Sequence, residues 1–420
     1  MSKEVTKRSR ALYFAMLGML AVFSLGIWGC GTSGYDDPQS TVTTTKTATA
    51  AIDAATLNQW IAEGKVNSSD PSSRDKVVIL TVSPAASYTA AHIPGAQLMN
   101  SDNELTMTRM EGLAPIATMV LDGGTIDTII KRSGIDSNTT VVFTVSKGGS
   151  YLNLSRAYFT FRYWGFPKER LKVLNGGDDA WETAGYALVT DVPTVTGSTF
   201  SVRNNSAFAP ELRYSIGQMI SLVDARNASP PTKDPAKYKI LDIRATSAAN
   251  ALSTTSYMTG AVVDYFDRYS DLPAPGKTRT FAVTDLASRL TEKDITAATT
   301  MTYVYCLSGM RASVGFFALD GILSWPVTLY DGSWNQWSAY RTGNSVNAAW
   351  RVDTVTPNTS VLRTTGAIAG SLTLDPLSNA LFTSVADPRA NQVLIEDTLY
   401  FNGGTSAAPP VSGGGDSSDC

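Results

Sequence analysis

The 420-residue chain repeats itself, and that repeat restricts its fold more than any other feature. Val77-Val78-Ile79-Leu80 is answered by Tyr238-Lys239-Ile240-Leu241, 161 positions later, and Val141 to Val145 is answered by Thr302 to Cys306 at the same offset. Gly165, Asn175-Gly176 and Trp181 are answered by Gly321, Asp331-Gly332 and Trp337 at an offset of 156. Within the first copy, Ile52 to Ala62 suits a helix, Leu152 to Trp164 an aromatic-rich helix, and Lys172 to Gly177 a strand and turn. Short apolar, β-branched runs alternating with helical stretches fold as a mostly parallel sheet flanked by helices. Several anchors at nearly one spacing make duplication the economical reading. The chain is therefore expected to be α/β, with copies at 52–190 and 211–345 joined by a linker at 191–210.

The copies differ where chemistry would be carried. The second contains Met301-Thr302-Tyr303-Val304-Tyr305-Cys306-Leu307-Ser308-Gly309-Met310-Arg311, then an apolar segment from Ala312 to Trp325 halted by Pro326. It reads as a strand delivering a cysteine into a Gly-containing turn, with a helix behind. Backbone N–H groups of such a turn point inward, and the helix N-terminus adds partial positive charge. That field favours a thiolate over a thiol. Arg311 adds a fixed positive charge at the helix mouth. A lone cysteine at a strand end is more often a small buried hydrophobe than a nucleophile, so the Gly and Arg that follow are what make Cys306 a candidate nucleophile. In the first copy the aligned position is Val145, followed by Ser146-Lys147-Gly148-Gly149. With no thiol there, the first copy lacks the candidate nucleophile.

The Cys306-Leu307-Ser308-Gly309-Met310-Arg311 loop resembles the Cys-x-x-Gly-x-Arg active-site loop of the rhodanese family of sulfurtransferases. Asp331-Gly332-Ser333-Trp334 and Trp337 resemble the Asp-Gly-Ser-Trp…Trp signature of its two-domain members. The resemblance covers most of residues 55 to 345. The four residues between Cys and Arg are one fewer than in the related Cdc25-like phosphatases, and the narrower loop speaks for sulfur rather than phosphate. The first copy keeps the family's His-Ile-Pro-Gly-Ala phrase at His92 to Ala96, and the second keeps Asp-x-Arg at Asp242 to Arg244.

From this resemblance the first domain is expected to be silent and structural and the second active. Cys306 would carry the persulfide, with the loop from Leu307 through Ser308, Gly309 and Met310 to Arg311 as the anion cradle. Arg311 and Arg244 would bind an anionic donor, and Asp242 would orient Arg244. His92 is read as structural, bonding loop backbone. Thiosulfate-using relatives carry a basic residue where this chain has Leu307, mercaptopyruvate-using relatives carry a Cys-Gly-Ser-Gly-Val loop, and an Arg expected between 245 and 255 is missing. Leu307 and Met310 make the rim apolar, which suits a smaller, softer or less charged donor. No metal or organic cofactor is expected. Two other readings stay open: a non-catalytic binding or assembly lipoprotein of an envelope redox complex, and a thiol-based handler of selenium or tellurium oxyanions.

The ends of the chain speak to location. Lys3, Lys7, Arg8 and Arg10 precede an apolar run from Ala11 to Trp28, then Gly29-Cys30. Residues 1–29 read as a processing segment, and Ile27-Trp28-Gly29-Cys30 resembles a bacterial lipobox, making Cys30 the lipidated residue. Gly31 after it implies the outer membrane. Residues 30–51, polar and Thr-rich, read as a flexible tether. The formal charge of −3 becomes −6 without residues 1–29, which hold four basic residues and one acidic. A mildly acidic chain without basic runs gives nucleic acid no purchase.

Three cysteines and one histidine leave little for a disulfide framework or a His-based zinc site. A single Cys306–Cys420 bridge remains open. Residues 346–401 have no counterpart in the repeat and read as a small extension packed on the second domain, with strands at Ser360–Arg363 and Gln392–Ile395 and a helical turn at Pro376–Leu381. Residues 402–420 read as a disordered tail whose Cys420 is either an exposed terminal thiol with no role or, since the tail is long enough to bring it to Cys306, a resolving thiol. The expected partners are a small anionic sulfur or selenium donor, a thiol or redox-protein acceptor, and a membrane through the lipid.

Overall fold

The repeat becomes two parallel sheets in a computed structural model, which describes residues 45, 49–70, 75–112, 114–203, 207–245, 257–271, 275–343, 352–353 and 388–404. All of these belong to one compact unit. Cys30, Cys420, the processing segment, and the segments expected at Ser360–Arg363 and Pro376–Leu381 lie outside the described residues.

The first repeat runs β1 (Ala51–Ile52), α1 (Ala54–Ala62), β2 (Val77–Ser83), α2 (Ala85–Ala90), β3 (Gln97–Asn100), β4 (Met107–Glu111), β5 (Ala114–Met119), α3 (Gly123–Arg132), β6 (Thr140–Thr144), α4 (Tyr151–Tyr163), β7 (Leu171–Leu174) and α5 (Gly177–Thr183). Its sheet order is β1-β7-β6-β2-β3, all parallel. Every residue of β2 and β6 is buried, as a sheet covered on both faces requires. β4 and β5 pair antiparallel as a separate hairpin.

The second repeat runs β8 (Arg213–Tyr214), α6 (Ile216–Asn227), β9 (Tyr238–Ala245), β10 (Tyr257–Met258), β11 (Ala261–Tyr265), β12 (Ser270–Asp271), β13 (Thr280–Phe281), α7 (Leu286–Thr291), β14 (Met301–Tyr305), α8 (Met310–Phe316), β15 (Val327–Tyr330) and α9 (Ser333–Gly343). Its sheet order, β11-β9-β14-β15-β8, is the same scheme. β12 and β13 form its hairpin. The helix from Met310 does not stay α-helical to its end. It widens to a π-helix over Phe317–Leu323 and stops at Ser324, which takes a left-handed conformation two residues before Pro326.

The repeats meet along α4 and α8. Ser155 Oγ and Ser313 Oγ lie 2.8 Å apart, Phe159 meets Phe316 edge-on, and Tyr158 meets Phe317 likewise. The hydrophobic core is continuous from β2 and β6 through this contact to β9 and β14.

Three expectations at the margins are corrected. The tether was expected to run to residue 51, yet Ala50 is buried and its N–H donates to the carbonyl of Gly321 at 3.0 Å. β1 then adds an edge strand beside β7. Small Ala-Ala-Ile side chains fit that edge, and the composition of the preceding Thr-rich run hides it. Gln392–Ile395 was expected to be a strand but opens α10 (Gln392–Phe401). Val393 and Asp397 face inward, one helical turn apart, so the aliphatic run is the start of a helical face. Nor does this helix sit only on the second domain. Tyr400 packs against Gly123 and Asp127 of α3, Asp397 holds Arg109 of β4, and the preceding Asn391 meets Ser215 of the second repeat.

Candidate active site

The site is built at the C-terminal end of β14, a central strand paired on both sides by β9 and β15. Cys306 leaves that strand as a buried thiol, 1% exposed and in no disulfide among the described residues. Its Sγ accepts the N–H of Gly309 at 3.2 Å. That contact needs a tight reversal, and Gly309 supplies it with φ of 93° at the N-cap of α8. A Cβ at Gly309 would stand 2.7 Å from the carbonyl oxygen of Asp331, so glycine is required twice over.

The loop is held from below by the start of α9. The Cys306 N–H donates to Ser333 Oγ at 3.2 Å, and the carbonyls of Cys306 and Leu307 accept the N–H groups of Trp334 and Asn335 at 3.0 and 2.9 Å. Ser333 adopts φ of 50° to do so. The Asp-Gly-Ser-Trp phrase thus acts as a clamp on the cysteine backbone.

Arg244 and Asp242 project from the end of β9. The Arg244 guanidinium grips Asp242 through Nε and Nη2 at 2.7–3.0 Å and lies 4.3 Å over the Trp334 ring. Burial alone would lower its pKa, but the Asp242 charge outweighs this and raises it. Tyr305 donates its hydroxyl to Asp242 at 2.6 Å. Arg311 donates Nη1 to the carbonyl of Arg244 at 3.0 Å and covers Phe266. Leu307 is the exposed residue of the rim, at 37%, beside half-buried Met310 and buried Ser308. The structure therefore gathers the residues of the loop with Arg244 and Asp242. His92 stands apart: its ring nitrogens face the carbonyls of Tyr88 and Asp191 at 2.8 and 3.1 Å.

Sequence reasoning missed a second layer. Asp331, fully buried, receives Arg156 Nη1 at 2.7 Å, Arg213 Nε at 3.2 Å and the Val120 N–H at 2.8 Å. Burial would raise this carboxyl, but the two arginines and the N–H hold it below its ordinary range. Arg213 also forks onto Glu111. Arg156 comes from α4 and Glu111 from β4, both in the first repeat. Arg156 among the aromatic residues of α4 was the available signal, because a fully buried Arg almost always has a partner.

No family model matches the chain. A protein of Haloferax volcanii assigned as a thiosulfate sulfurtransferase is 24% identical over 305 residues, 71% of this chain and 96% of the relative. Mycobacterium leprae SseA, assigned likewise, is 28% identical over 269 residues, 62% of this chain and 79% of the relative. The sulfur carrier protein TtuD of Thermus thermophilus is 25% identical over 267 residues, 60% of this chain and 83% of the relative. Among solved structures, YnjE matches with TM-score 0.52 at 17% identity, over 74% of this chain and 68% of that one. Wild-type EanB matches with TM-score 0.50 at 19% identity, over 69% and 67%. The two parallel sheets, each flanked by helices, have the fold of two rhodanese-like domains. The chain is a homologue of the proteins of that class assigned as thiosulfate and 3-mercaptopyruvate sulfurtransferases.

Proposed function

We propose that this protein is an exported, lipid-anchored sulfurtransferase whose second repeat carries the reaction. The assignments of its relatives support sulfur transfer as the activity. The observation that carries the reading is the Gly309 N–H held 3.2 Å from Cys306 Sγ at a helix N-terminus. A donor aimed at sulfur favours the thiolate and, after transfer, the persulfide anion. The Cys306 thiolate attacks the terminal sulfur of a small anionic donor of the thiosulfate or mercaptopyruvate type; with mercaptopyruvate the C–S bond breaks and its electron pair leaves on carbon as the enolate of pyruvate. With thiosulfate, the donor's S–S bond breaks, its electron pair leaves on sulfite, and a new S–S bond forms at Cys306. An acceptor thiolate then takes the outer sulfur and releases the Cys306 thiolate. Arg311 and Arg244 supply positive charge toward the donor, and Asp242 fixes the plane of Arg244. The burial of Cys306 and the apolar Leu307 favour compact donors. Cys30 is the proposed lipid attachment at the outer membrane, and Cys420 a proposed resolving thiol.

Intact-mass measurement of the body after exposure to thiosulfate, mercaptopyruvate or selenite tests this directly. One sulfur gained on Cys306, absent in Cys306→Ser, is expected. Selenium uptake alone would move the protein to chalcogen oxyanions, and uptake of neither to a binding role. Palmitate labelling that persists in Cys30→Ala would rule out the anchor.

A further inference from the structure

The first repeat does more than support the second, because its β4–β5 hairpin reaches the Cys306 loop. Thr118, in β5, places its hydroxyl between the carbonyl oxygens of Ala117 and Ser308, at 2.6 and 2.5 Å. Ser308 immediately precedes Gly309, whose N–H faces the cysteine sulfur. The Ser308 carbonyl and the Gly309 N–H belong to one peptide plane, so whatever grips the oxygen also sets the direction of the hydrogen. Thr118 sits at φ of 62°, a left-handed conformation that β-branched residues rarely adopt and that costs on the order of 1–3 kcal/mol. Such a residue persists only where its surroundings hold it. The holder here is Arg156, whose Nη2 donates to the Thr118 carbonyl at 2.8 Å while Nη1 grips Asp331. Asp331 in turn packs directly under Gly309. Arg156 thus ties the strained residue and the floor of the loop into one rigid set.

We infer that Thr118 of the first repeat, held by Arg156, is a positioning residue for the Cys306 loop, orienting the Ser308–Gly309 peptide so that its N–H stabilises the sulfur anion. This rests on Cys306 as the nucleophile. The silent repeat then shapes the active one across the domain boundary.

The test uses the full chain with Thr118→Val, which keeps the shape and removes the hydroxyl, and Thr118→Ser, which restores it. Three readouts are taken: the pH dependence of Cys306 alkylation by iodoacetamide, the kcat and KM of transfer from thiosulfate, and Tm. Thr118→Val is expected to move the alkylation midpoint to higher pH and to lower kcat about tenfold, the scale of one lost hydrogen bond. KM and Tm should change little, and Thr118→Ser should recover most of the loss. An unchanged midpoint and kcat in Thr118→Val would overturn the inference, as would an equal loss in Thr118→Ser accompanied by a fall in Tm. Arg156→Lys, which keeps the charge and loses the fork, should shift the midpoint in the same direction; no shift there would also count against it. Wild-type protein that takes no sulfur from thiosulfate would fault the proposed reaction, while the alkylation profile still decides the role of Thr118.

Discussion

Two loops in this molecule started from one design and ended with opposite contents. In the second repeat the N–H of Gly309 points at Cys306 Sγ. In the first, the aligned Gly148 also takes a left-handed conformation, φ 67°, but its N–H donates at 2.7 Å to the Asp179 carboxylate. Thr278 of the second repeat adds its N–H and hydroxyl to the same oxygen, and Lys277 pairs with the other at 2.9 Å. Despite the cost of burial, these donors hold Asp179 below its ordinary pKa. The first loop therefore carries an internal anion where the second offers the field to sulfur. At the position of Asp179 the second repeat has Asn335, which brings no charge. Each loop turns a glycine N–H inward, onto a carboxylate in the first repeat and onto a thiol in the second.

The hairpins make the same point. Each repeat lends one to its partner: β4–β5 reaches the Cys306 loop through Thr118, and the β12–β13 segment closes the first loop through Thr278 and Phe281. Asn175 exchanges two hydrogen bonds with Phe281, as Asp331 accepts the aligned Val120 N–H. The second-repeat side of this pseudo-symmetric pair uses a carboxylate and two buried arginines, the first-repeat side a neutral amide.

The comparison breaks most sharply at the cysteine. Cys306→Ser should abolish transfer, and adding Val145→Cys to it should restore nothing, because the Gly148 N–H is already committed to Asp179. A persulfide found by mass spectrometry on the thiol introduced by Val145→Cys would show that a thiol alone makes the loop active. Next in size is Arg156→Met. Removing one partner of a buried ion pair costs about 3–5 kcal/mol, so urea unfolding at pH 7 should show a loss in that range, together with weakened transfer. An effect below about 1 kcal/mol would mean that the network is not shared between repeats.

A third prediction belongs to the first-repeat loop. Asp178 is buried beside Thr144, and burial raises its pKa from 3.8 to about 7. Its proton is held more tightly in the folded than in the unfolded chain, so its stabilisation is full below about pH 4. It is lost as pH rises through 7, a change of about 4 kcal/mol by linkage. Asp178→Asn should remove that decline, leaving the variant relatively more stable at pH 8 than at pH 5. Parallel stability curves for variant and wild type would refute it. Smallest, Asp179→Asn should cost about 1–3 kcal/mol through weakened charged hydrogen bonds while leaving sulfur transfer unchanged; reduced kcat would show that the first loop reports to the second.

The sequence by itself determined the duplication, the parallel sheets, the strand that ends at Cys306 and the turn that follows. Those depend on local periodicity and on residue types whose backbone demands are fixed within a few positions, as at Gly309. It also showed which repeat lacks the thiol, since that is a matter of one side chain. Other features were decided by residues distant in the chain. Gln392–Ile395 became helical because Asp397 had Arg109 to reach, 288 positions away, and Ala50 became ordered because Gly321 offered a carbonyl. Thr118 meets Ser308 and Arg156 meets Asp331 across 190 and 175 positions. No periodicity encodes such pairs, because burial selects a partner by where the folded backbone brings it, and only tertiary structure sets that place.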